Sequence, residues 1–181
     1  MVKFAFRGET LQASRDDSSS PTIALNSPTP FKIRVSIASQ QLDLLSSEGA
    51  ILASWPVSTS RFGIGFEEGS FRTPTGQFRI LEKIGDGALP WAVFKSRKPT
   101  GDFASPEVEG EEDLILSRIL WLEGLDQENA NTRDRYIYLH GTNQESLIGT
   151  PASHGCVRLR NLDMIELYDR VDPGTWVEII P

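Results

Sequence analysis

The sequence predicts a mainly β domain with one short helix near its C-terminus. Short apolar runs alternate with polar residues and are separated by glycine, proline and other turn-forming residues. Only the stretch from Asn161 to Val171 carries apolar residues at near-helical spacing. The 181 residues contain no internal repeat and match the length of about one ordinary domain. We therefore expect an irregular lead-in over residues 1–30 and a single compact domain over residues 31–181.

The first half of that domain is predicted to be a run of hairpin strands. Residues 15–30 are rich in Ser, Thr, Asp and Pro and have no apolar period, which is typical of irregular chain. Alternation begins at Phe31, and turn residues then interrupt the chain at Glu48-Gly49 and again at Thr73 to Gly76. The predicted strands of this half cover residues 31–37, 42–44, 51–57 and 78–81.

The second half is predicted to contain three more strands, a long loop and the helix. The charged segment from Lys95 to Asp113 carries two prolines and two glycines, so we expect a surface loop there. With Trp91 before it and Trp121 after it, this loop could act as a lid over a cleft. The remaining strands are predicted at residues 114–122, 136–139 and 176–180, with a polar loop at 127–135.

The single helix is expected to begin at Asn161 and to end at the sequence Asp172-Pro173-Gly174. Asn161 is placed as the N-cap, and Asp163 in the first turn has a charge that suits the helix dipole. Its apolar face is predicted from the residues that recur at near-helical spacing, which are Leu162, Ile165, Tyr168 and Val171.

Charge and composition exclude several classes of function. The formal net charge of -7, from 25 acidic and 18 basic residues, would repel nucleic acid and anionic membrane surfaces. No apolar run approaches the roughly 20 residues that a membrane-spanning helix needs. The N-terminus turns polar by Arg7, so no export signal is visible and we expect a cytoplasmic protein. A periplasmic or cell-envelope location is the alternative if a leader has been removed.

The protein has two histidines and one cysteine, and all three lie between His140 and Cys156. A thiol becomes a strong nucleophile when an imidazole within reach takes its proton. A lone cysteine is more often buried filler, but the neighbouring His154 and Gly155 favour a reactive one. Gly155 permits a tight turn that could aim backbone N–H groups at an oxyanion, and Ser153 could fix that turn.

Zinc binding is an alternative use of the same three side chains. Imidazole and thiolate are preferred zinc ligands, and three of them would leave one open catalytic position. However, no short Cys-x-x-Cys or His-x-x-x-His pair is present to anchor a metal. We therefore predict no metal and no cofactor.

The segment His140-Gly141-Thr142, followed by Ile148-Gly149 and then Ser153 to Leu159 (SHGCVRL), resembles the signature of the YkuD-type L,D-transpeptidase family. The resemblance extends to PVSTS at 56–60 and to TPTGQFRI at 73–80. It also includes Asn161-x-Asp163, so that it covers about residues 31–180.

The resemblance implies a β-sandwich-like catalytic domain that acts on peptidoglycan stem peptides. Such enzymes cleave the bond between the L-centre of a diamino acid and a terminal D-alanine through a thioester. The family's roles would make Cys156 the nucleophile, His140 the general base, and the Gly141 carbonyl the group that orients that imidazole. His154 would line the site and bind substrate or intermediate.

Arg158 follows the cysteine by two positions and could pair with the substrate's terminal carboxylate. Many relatives have Asn at this position, and a structural salt bridge is the competing interpretation.

The expected partners are stem peptides or muropeptides, and carbapenem-type inhibitors that acylate the cysteine. Without a visible export signal, water is the expected acceptor, which would make the protein an L,D-carboxypeptidase of muropeptide recycling. Transpeptidation to an amine is the alternative activity. A catalytically silent wall-binding module is a third hypothesis, and a sortase is disfavoured because its His and Arg lie at different distances from its Cys.

Overall fold

The structure, a computed structural model, describes residues 31–104 and 112–181 of the chain. The predicted lead-in over residues 1–30 lies outside these ranges. The described residues form ten strands, one α-helix and one short 3-10 helix at Glu145–Leu147. The strands are β1 Phe31–Ser36, β2 Gln41–Ser46, β3 Ile51–Pro56, β4 Gly76–Ile84, β5 Ala92–Lys95, β6 Lys98–Phe103, β7 Ile115–Gly124, β8 Tyr138–Gly141, β9 Val157–Leu159 and β10 Trp176–Ile180, and the helix is α1 Asn161–Arg170.

All ten strands belong to one sheet with the order β3-β2-β1-β10-β4-β7-β5-β6, from which β8 and β9 branch at β7. The C-terminal strand β10 lies in the middle, parallel to β1 and antiparallel to β4. Strand β10 therefore joins the N-terminal hairpins to the half of the sheet that carries His140 and Cys156.

Strand β7 is the branch point because it pairs with β4, β5 and β8. Its register with β8 shifts between Leu116 and Ile119, where Ser117 has a φ of 63°. The strand is buried on both faces, which its near-continuous apolar sequence predicts. Alternate residues of β7 therefore pack into two different apolar clusters.

The main core lies between strands β1, β2, β4 and β10 of the sheet, the branch formed by β8 and β9, and one face of α1. Its buried side chains come from almost every element and include Ile33, Leu42, Phe78, Leu122, Leu139, Val157, Leu159, Leu167, Val177 and Ile179. A smaller cluster on the other face of β7 contains Phe94, Ile119, Trp121 and Tyr138, and Cys156 packs against it. The cysteine thus sits where an apolar cluster meets the surface.

The mainly β prediction is confirmed, and most predicted strands lie close to where the sequence placed them. One difference is that His140 lies inside β8 rather than after its end. Trp121, which follows the segment predicted as a loop, belongs to the smaller core cluster.

The segment predicted as a loop from Lys95 to Asp113 begins with a β-hairpin formed by β5 and β6. Ser96 and Arg97 both have positive φ, 49° and 65°, which is the geometry of a type I′ turn. Neither residue is typical of that turn, and Pro99 and Gly101 disfavour a strand. The hairpin was therefore not predicted from the sequence. Because β6 is an edge strand and exposed throughout, it still lies at the surface as expected.

The helix is confirmed, but its start and its buried face differ from the prediction. The N-cap is Arg160, and Asn161 is the first helical residue, with a fully buried side chain. The buried residues of the helix are Asn161, Met164, Leu167 and Tyr168, whereas Leu162 is 60% exposed. The predicted face was assigned from residues three positions apart. Such residues do not stay on one side of a helix that has 3.6 residues per turn, so the predicted face was shifted. In the described part of the chain, no helix is long and apolar enough to cross a membrane.

The phase of the helix can be tested with two alanine substitutions. Leu167→Ala should lower the free energy of unfolding by about 2–5 kcal/mol, because it leaves a cavity in the main core. Leu162→Ala, one and a half turns away on the exposed face, should change it by less than about 0.5 kcal/mol. Urea denaturation followed by circular dichroism measures both, and equal losses would contradict the assigned face.

Candidate active site

The parallel pairing of β8 with β9 brings the two halves of the motif together. His140 is opposite Arg158 in this register, and Leu139 is opposite Val157. Cys156 therefore lies beside Tyr138, whose backbone N–H points at the Cys156 Sγ over 3.4 Å. The histidine and the cysteine, 16 positions apart in the chain, consequently line one cavity of about 160 Å³ with Asp113, Ile115 and His154.

The His140 ring is held by the backbone carbonyl of Gly141, which lies 2.8 Å from its Nδ1. A carbonyl oxygen can only accept a hydrogen bond, so Nδ1 carries the proton of the neutral imidazole. The unprotonated Nε2 is therefore the ring atom that can take a proton from a thiol. This is the contact that the family resemblance implied for Gly141.

Position 141 needs glycine because the backbone is packed on both sides. A Cβ there would lie 2.5 Å from the Asn161 Oδ1 and 2.8 Å from the Leu116 carbonyl oxygen. Asn161 in turn donates to the Thr142 carbonyl and to the Glu145 carboxylate, both over 2.7 Å. The asparagine predicted as a helix cap therefore anchors the turn that follows His140.

Cys156 is partly exposed, and its thiol contacts backbone groups on one side. Besides the Tyr138 N–H, the Tyr136 carbonyl lies 3.5 Å from Sγ. Loss of hydration raises the pKa of the Cys156 thiol to about 12, and the Tyr138 N–H opposes this shift only in part. At neutral pH the resting side chain is thus a thiol and not a thiolate.

Burial also acts on His140, whose side chain is 3% exposed. Loss of hydration lowers the pKa of His140, while the charge of Asp113 and the Gly141 carbonyl raise it to a smaller extent. Both members of the pair are therefore neutral before substrate binds. Among residues 31–104 and 112–181, no hydrogen bond joins His140 to Cys156, so proton transfer needs a small approach of the two side chains.

The loop before the cysteine is fixed by Ser153 and Gly155. The buried Ser153 Oγ donates to the Cys156 carbonyl over 2.6 Å and accepts from the Gly155 N–H over 3.3 Å. Gly155 has a φ of 120°, and its carbonyl accepts a hydrogen bond from Thr73 over 3.0 Å. Gly155 therefore shapes the turn, but its N–H is directed at Ser153, and its predicted oxyanion role stays a prediction.

His154 lies at the mouth of the cavity, between two residues of opposite charge. Its Nε2 is 2.7 Å from Nη2 of Arg61, and its Nδ1 is 3.8 Å from Oδ2 of Asp113. A guanidinium can only donate, so Nε2 accepts and the neutral ring carries its proton on Nδ1, towards the carboxylate. The exposed rings of Phe62 and Phe71 contact the imidazole at centroid distances of 5.9 and 5.8 Å.

Arg158 does not lie where a substrate carboxylate could reach it. The side chain is fully buried and pairs with Asp113 over 2.9 Å. It also donates to Gln144 over 2.8 Å and to Ser58 over 2.9 Å. The predicted carboxylate contact is therefore corrected in favour of the competing structural interpretation, in which the guanidinium ties the strand after Cys156 to its neighbours.

Two residues of the site were missed by the sequence reasoning, Asp113 and Arg61. Asp113 stood at the end of the predicted surface loop, yet it pairs with Arg158 and lines the cavity. Arg61 follows the PVSTS motif directly, and that adjacency was the one available signal. The lid predicted for residues 95–113 stays a prediction, because residues 105–111 lie outside the described ranges.

A second cavity of about 260 Å³ adjoins the first across His154. Its lining includes two carboxylates, Glu68 and Asp134, one guanidinium, Arg135, and the aromatic side chains Phe71 and Tyr136. His154 is the residue that the two cavities share. Cys156 lines the smaller of these two cavities and not the wider one.

The residues of the site do not form a metal centre. In the described ranges, no group of three or more His, Cys, Asp or Glu side chains is arranged so as to hold a metal ion. His154 is instead engaged by Arg61, and Nδ1 of His140 by a carbonyl. The arrangement does not support the zinc alternative.

Comparison with known proteins agrees with the resemblance that the sequence motifs show. Residues 30–179 match the YkuD family, described as the L,D-transpeptidase catalytic domain. The putative L,D-transpeptidase YkuD of Bacillus subtilis is 29% identical over 150 residues, which are 83% of this chain and 66% of the relative. The chain thus spans slightly less than two thirds of that relative.

Two solved structures show the same fold. L,D-transpeptidase 3 of Mycobacterium tuberculosis, in complex with a faropenem-derived adduct, superposes with a TM-score of 0.53 at 16% identity and covers 84% of this chain and 60% of its own. LD transpeptidase LdtMt1 in complex with imipenem superposes with a TM-score of 0.51 at 19% identity and covers 83% and 59%.

The resting state of the thiol can be tested by its alkylation. Because the pKa of Cys156 is raised to about 12, the rate with iodoacetamide should rise about tenfold per pH unit from pH 6 to pH 10 without a plateau. The same protein unfolded in urea should level off above about pH 9, since its thiol has an ordinary pKa. Cys156→Ser provides the blank, and a plateau below pH 8 in the folded protein would show a preformed thiolate instead.

Proposed function

The chain belongs to the YkuD family of L,D-transpeptidase catalytic domains, and on this premise we propose the reaction that it catalyses. It cleaves the bond between the L-centre of a diamino acid and the terminal D-alanine of peptidoglycan tetrapeptide stems. The observation that carries the proposal is the geometry of His140, whose Nδ1–H is fixed by the Gly141 carbonyl and whose free Nε2 shares a cavity with the Cys156 thiol.

In the acylation step, Sγ of Cys156 attacks the carbonyl carbon of the third stem residue while its proton passes to Nε2 of His140. The tetrahedral intermediate then collapses with breakage of the C–N bond. The imidazolium returns the proton to the departing amine of D-alanine, and a thioester remains on Cys156. Since both groups are neutral at rest, substrate binding must bring them together before the proton moves.

In the deacylation step, His140 removes a proton from the acceptor, which attacks the thioester and releases the thiol. With water as acceptor, the protein is an L,D-carboxypeptidase of muropeptides, and this is the activity we favour. The cavity of about 160 Å³ supports it, because it has room for several water molecules beside Cys156. A cytoplasmic location, where recycled muropeptides would be soluble substrates, belongs to the same proposal.

An amine acceptor is the second candidate, and the wider cavity favours it. Glu68 and Asp134 outnumber Arg135, the one cation in the lining of that cavity, and the net negative charge would attract a cationic acceptor towards the thioester. The product would then be a cross-link or an exchanged D-amino acid, as in L,D-transpeptidation.

The substrate's terminal carboxylate needs a cation other than Arg158, and Arg61 is the candidate. Its guanidinium is exposed at the mouth of the cavity and is positioned by His154 and by the ring of Phe62, 5.0 Å away. A guanidinium held in this way can pair with a carboxylate through two parallel hydrogen bonds. His154 would then act as the support that aims Arg61.

The reaction can be tested with a muropeptide tetrapeptide, with and without an added D-amino acid, by mass spectrometry of the products. We expect loss of D-alanine alone, because water resolves the thioester, and no turnover by Cys156→Ala. Exchange of D-alanine for the added amino acid would instead establish the amine acceptor.

The nucleophile has an independent control in this test. Imipenem should add its mass to the wild-type protein and not to Cys156→Ala. Absence of both turnover and adduct in the wild type would overturn the proposal and favour a silent wall-binding module.

The role of Arg61 can be tested by Arg61→Gln. The variant should raise KM for the tetrapeptide about tenfold with little change in kcat, since it removes one charged contact to a group that is not itself altered in the reaction. A tetrapeptide whose terminal carboxylate is amidated should bind wild type and variant alike. Arg160→Gln, on an exposed residue at the helix start, is the matched control and should leave KM unchanged.

A further inference from the structure

We propose that Asp113 binds a free ammonium group on the side chain of the third stem residue and so selects stems in which that amine is unmodified. The inference rests on the proposed function and names a specificity determinant within it. It follows from the different contacts that the two oxygens of this carboxylate make.

One oxygen of Asp113 is fully occupied. Oδ1 pairs with Nη1 of the buried Arg158 over 2.9 Å and accepts a hydrogen bond from Thr142 over 3.3 Å. These contacts fix the orientation of the carboxylate plane, because the guanidinium is fully buried and held by Ser58 and Gln144 as well. Asp113 is therefore a preorganised side chain.

The other oxygen, Oδ2, is left on the cavity side. Within the described ranges it accepts no hydrogen bond, and Nδ1 of His154 is 3.8 Å away, beyond hydrogen-bond distance. The side chain is 18% exposed, so little water reaches Oδ2, and Arg158 balances the charge of the carboxylate from the Oδ1 side. An oxygen of this kind gains most from a cationic donor, because a charge-assisted hydrogen bond is stronger than a neutral one.

The charges around the cavity specify the sign of the ligand group. Its lining consists of Asp113, Ile115, His140, His154 and Cys156, so Asp113 is the one carboxylate among them. Both His140 and Cys156 are neutral at rest. A ligand group placed next to Oδ2 therefore has a carboxylate as its nearest charge.

The position of the scissile carbonyl at Sγ indicates which group of the substrate can reach Oδ2 of Asp113. Asp113 and Cys156 line the same small cavity, so a group that reaches Oδ2 while the scissile carbonyl is at Sγ must belong to one of the two residues joined by the scissile bond. D-alanine offers only a methyl group and a carboxylate, so a cationic group belongs to the residue that provides the carbonyl. In the proposed substrate this residue is a diamino acid, and its side chain carries the amine. The terminal carboxylate, on the other side of the scissile bond, is directed to Arg61.

The test compares binding of two tetrapeptides that differ only at the third residue, which is lysine in one and Nε-acetyl-lysine in the other. Cys156→Ala is used for calorimetry so that nothing is cleaved. The free amine should bind about tenfold or more tightly than the acetylated one. In Cys156→Ala/Asp113→Asn the ratio should fall to about one, with the loss confined to the free amine.

Controls separate a specific contact from a structural effect. Asp102→Asn, on the exposed strand β6, should leave the ratio unchanged. If Asp113→Asn unfolds the protein by leaving Arg158 buried without its partner, the double substitution Asp113→Asn/Arg158→Met removes both charges and should restore the fold. That variant should also show a ratio of about one.

The outcomes distinguish this inference from the proposed function. Equal affinity for the two peptides in Cys156→Ala, or a ratio that survives loss of Asp113, overturns the role of Asp113 even if the wild type releases D-alanine. A preference that depends on Asp113 supports it even if the wild type cleaves neither peptide, in which case the proposed reaction is the part that fails.

Discussion

The site depends on the short parallel pairing between β8 and β9. This pairing sets Tyr138 beside Cys156 and His140 beside Arg158, so one register fixes the positions of the thiol, the imidazole and the buried guanidinium together. A shift by one residue would turn each of these side chains to the opposite face of the sheet. The apolar residues Leu139, Val157 and Leu159 hold the register, because they are fully buried in the main core.

This arrangement buries the thiol and the imidazole, and burial determines their protonation states at rest. The same packing that aligns Cys156 with His140 removes water from both, so the pKa of the thiol rises and that of the imidazole falls. The pair is consequently neutral until a substrate arrives. A resting thiol of this kind is protected from unselective alkylation and oxidation, since the thiolate is the reactive form.

The charged residues around Cys156 and His140 are engaged in two contacts. Asp113 pairs with Arg158 behind the cavity, and Arg61 is held by His154 at its mouth. The buried ion pair leaves one carboxylate oxygen facing inward, and the exposed pair leaves one guanidinium facing outward. A substrate that carries an ammonium and a carboxylate on either side of its scissile bond is complementary to this distribution of charge.

The sequence by itself determined the fold class, the family and the chemistry of the motif. Alternating apolar runs are local, and Ser153 to Arg158 with His140 to Thr142 are contiguous segments whose residue types already predict a nucleophile and a base. Only the tertiary structure decided the use of Arg158, Asp113, Arg61 and Asn161. Arg158 is buried because β9 is covered by β8 on one side and by the chain at Ser58 on the other, and Asp113 pairs with it across 45 positions of the chain. The role of a charged residue depends on its burial and on its partner, and neither is encoded in local spacing.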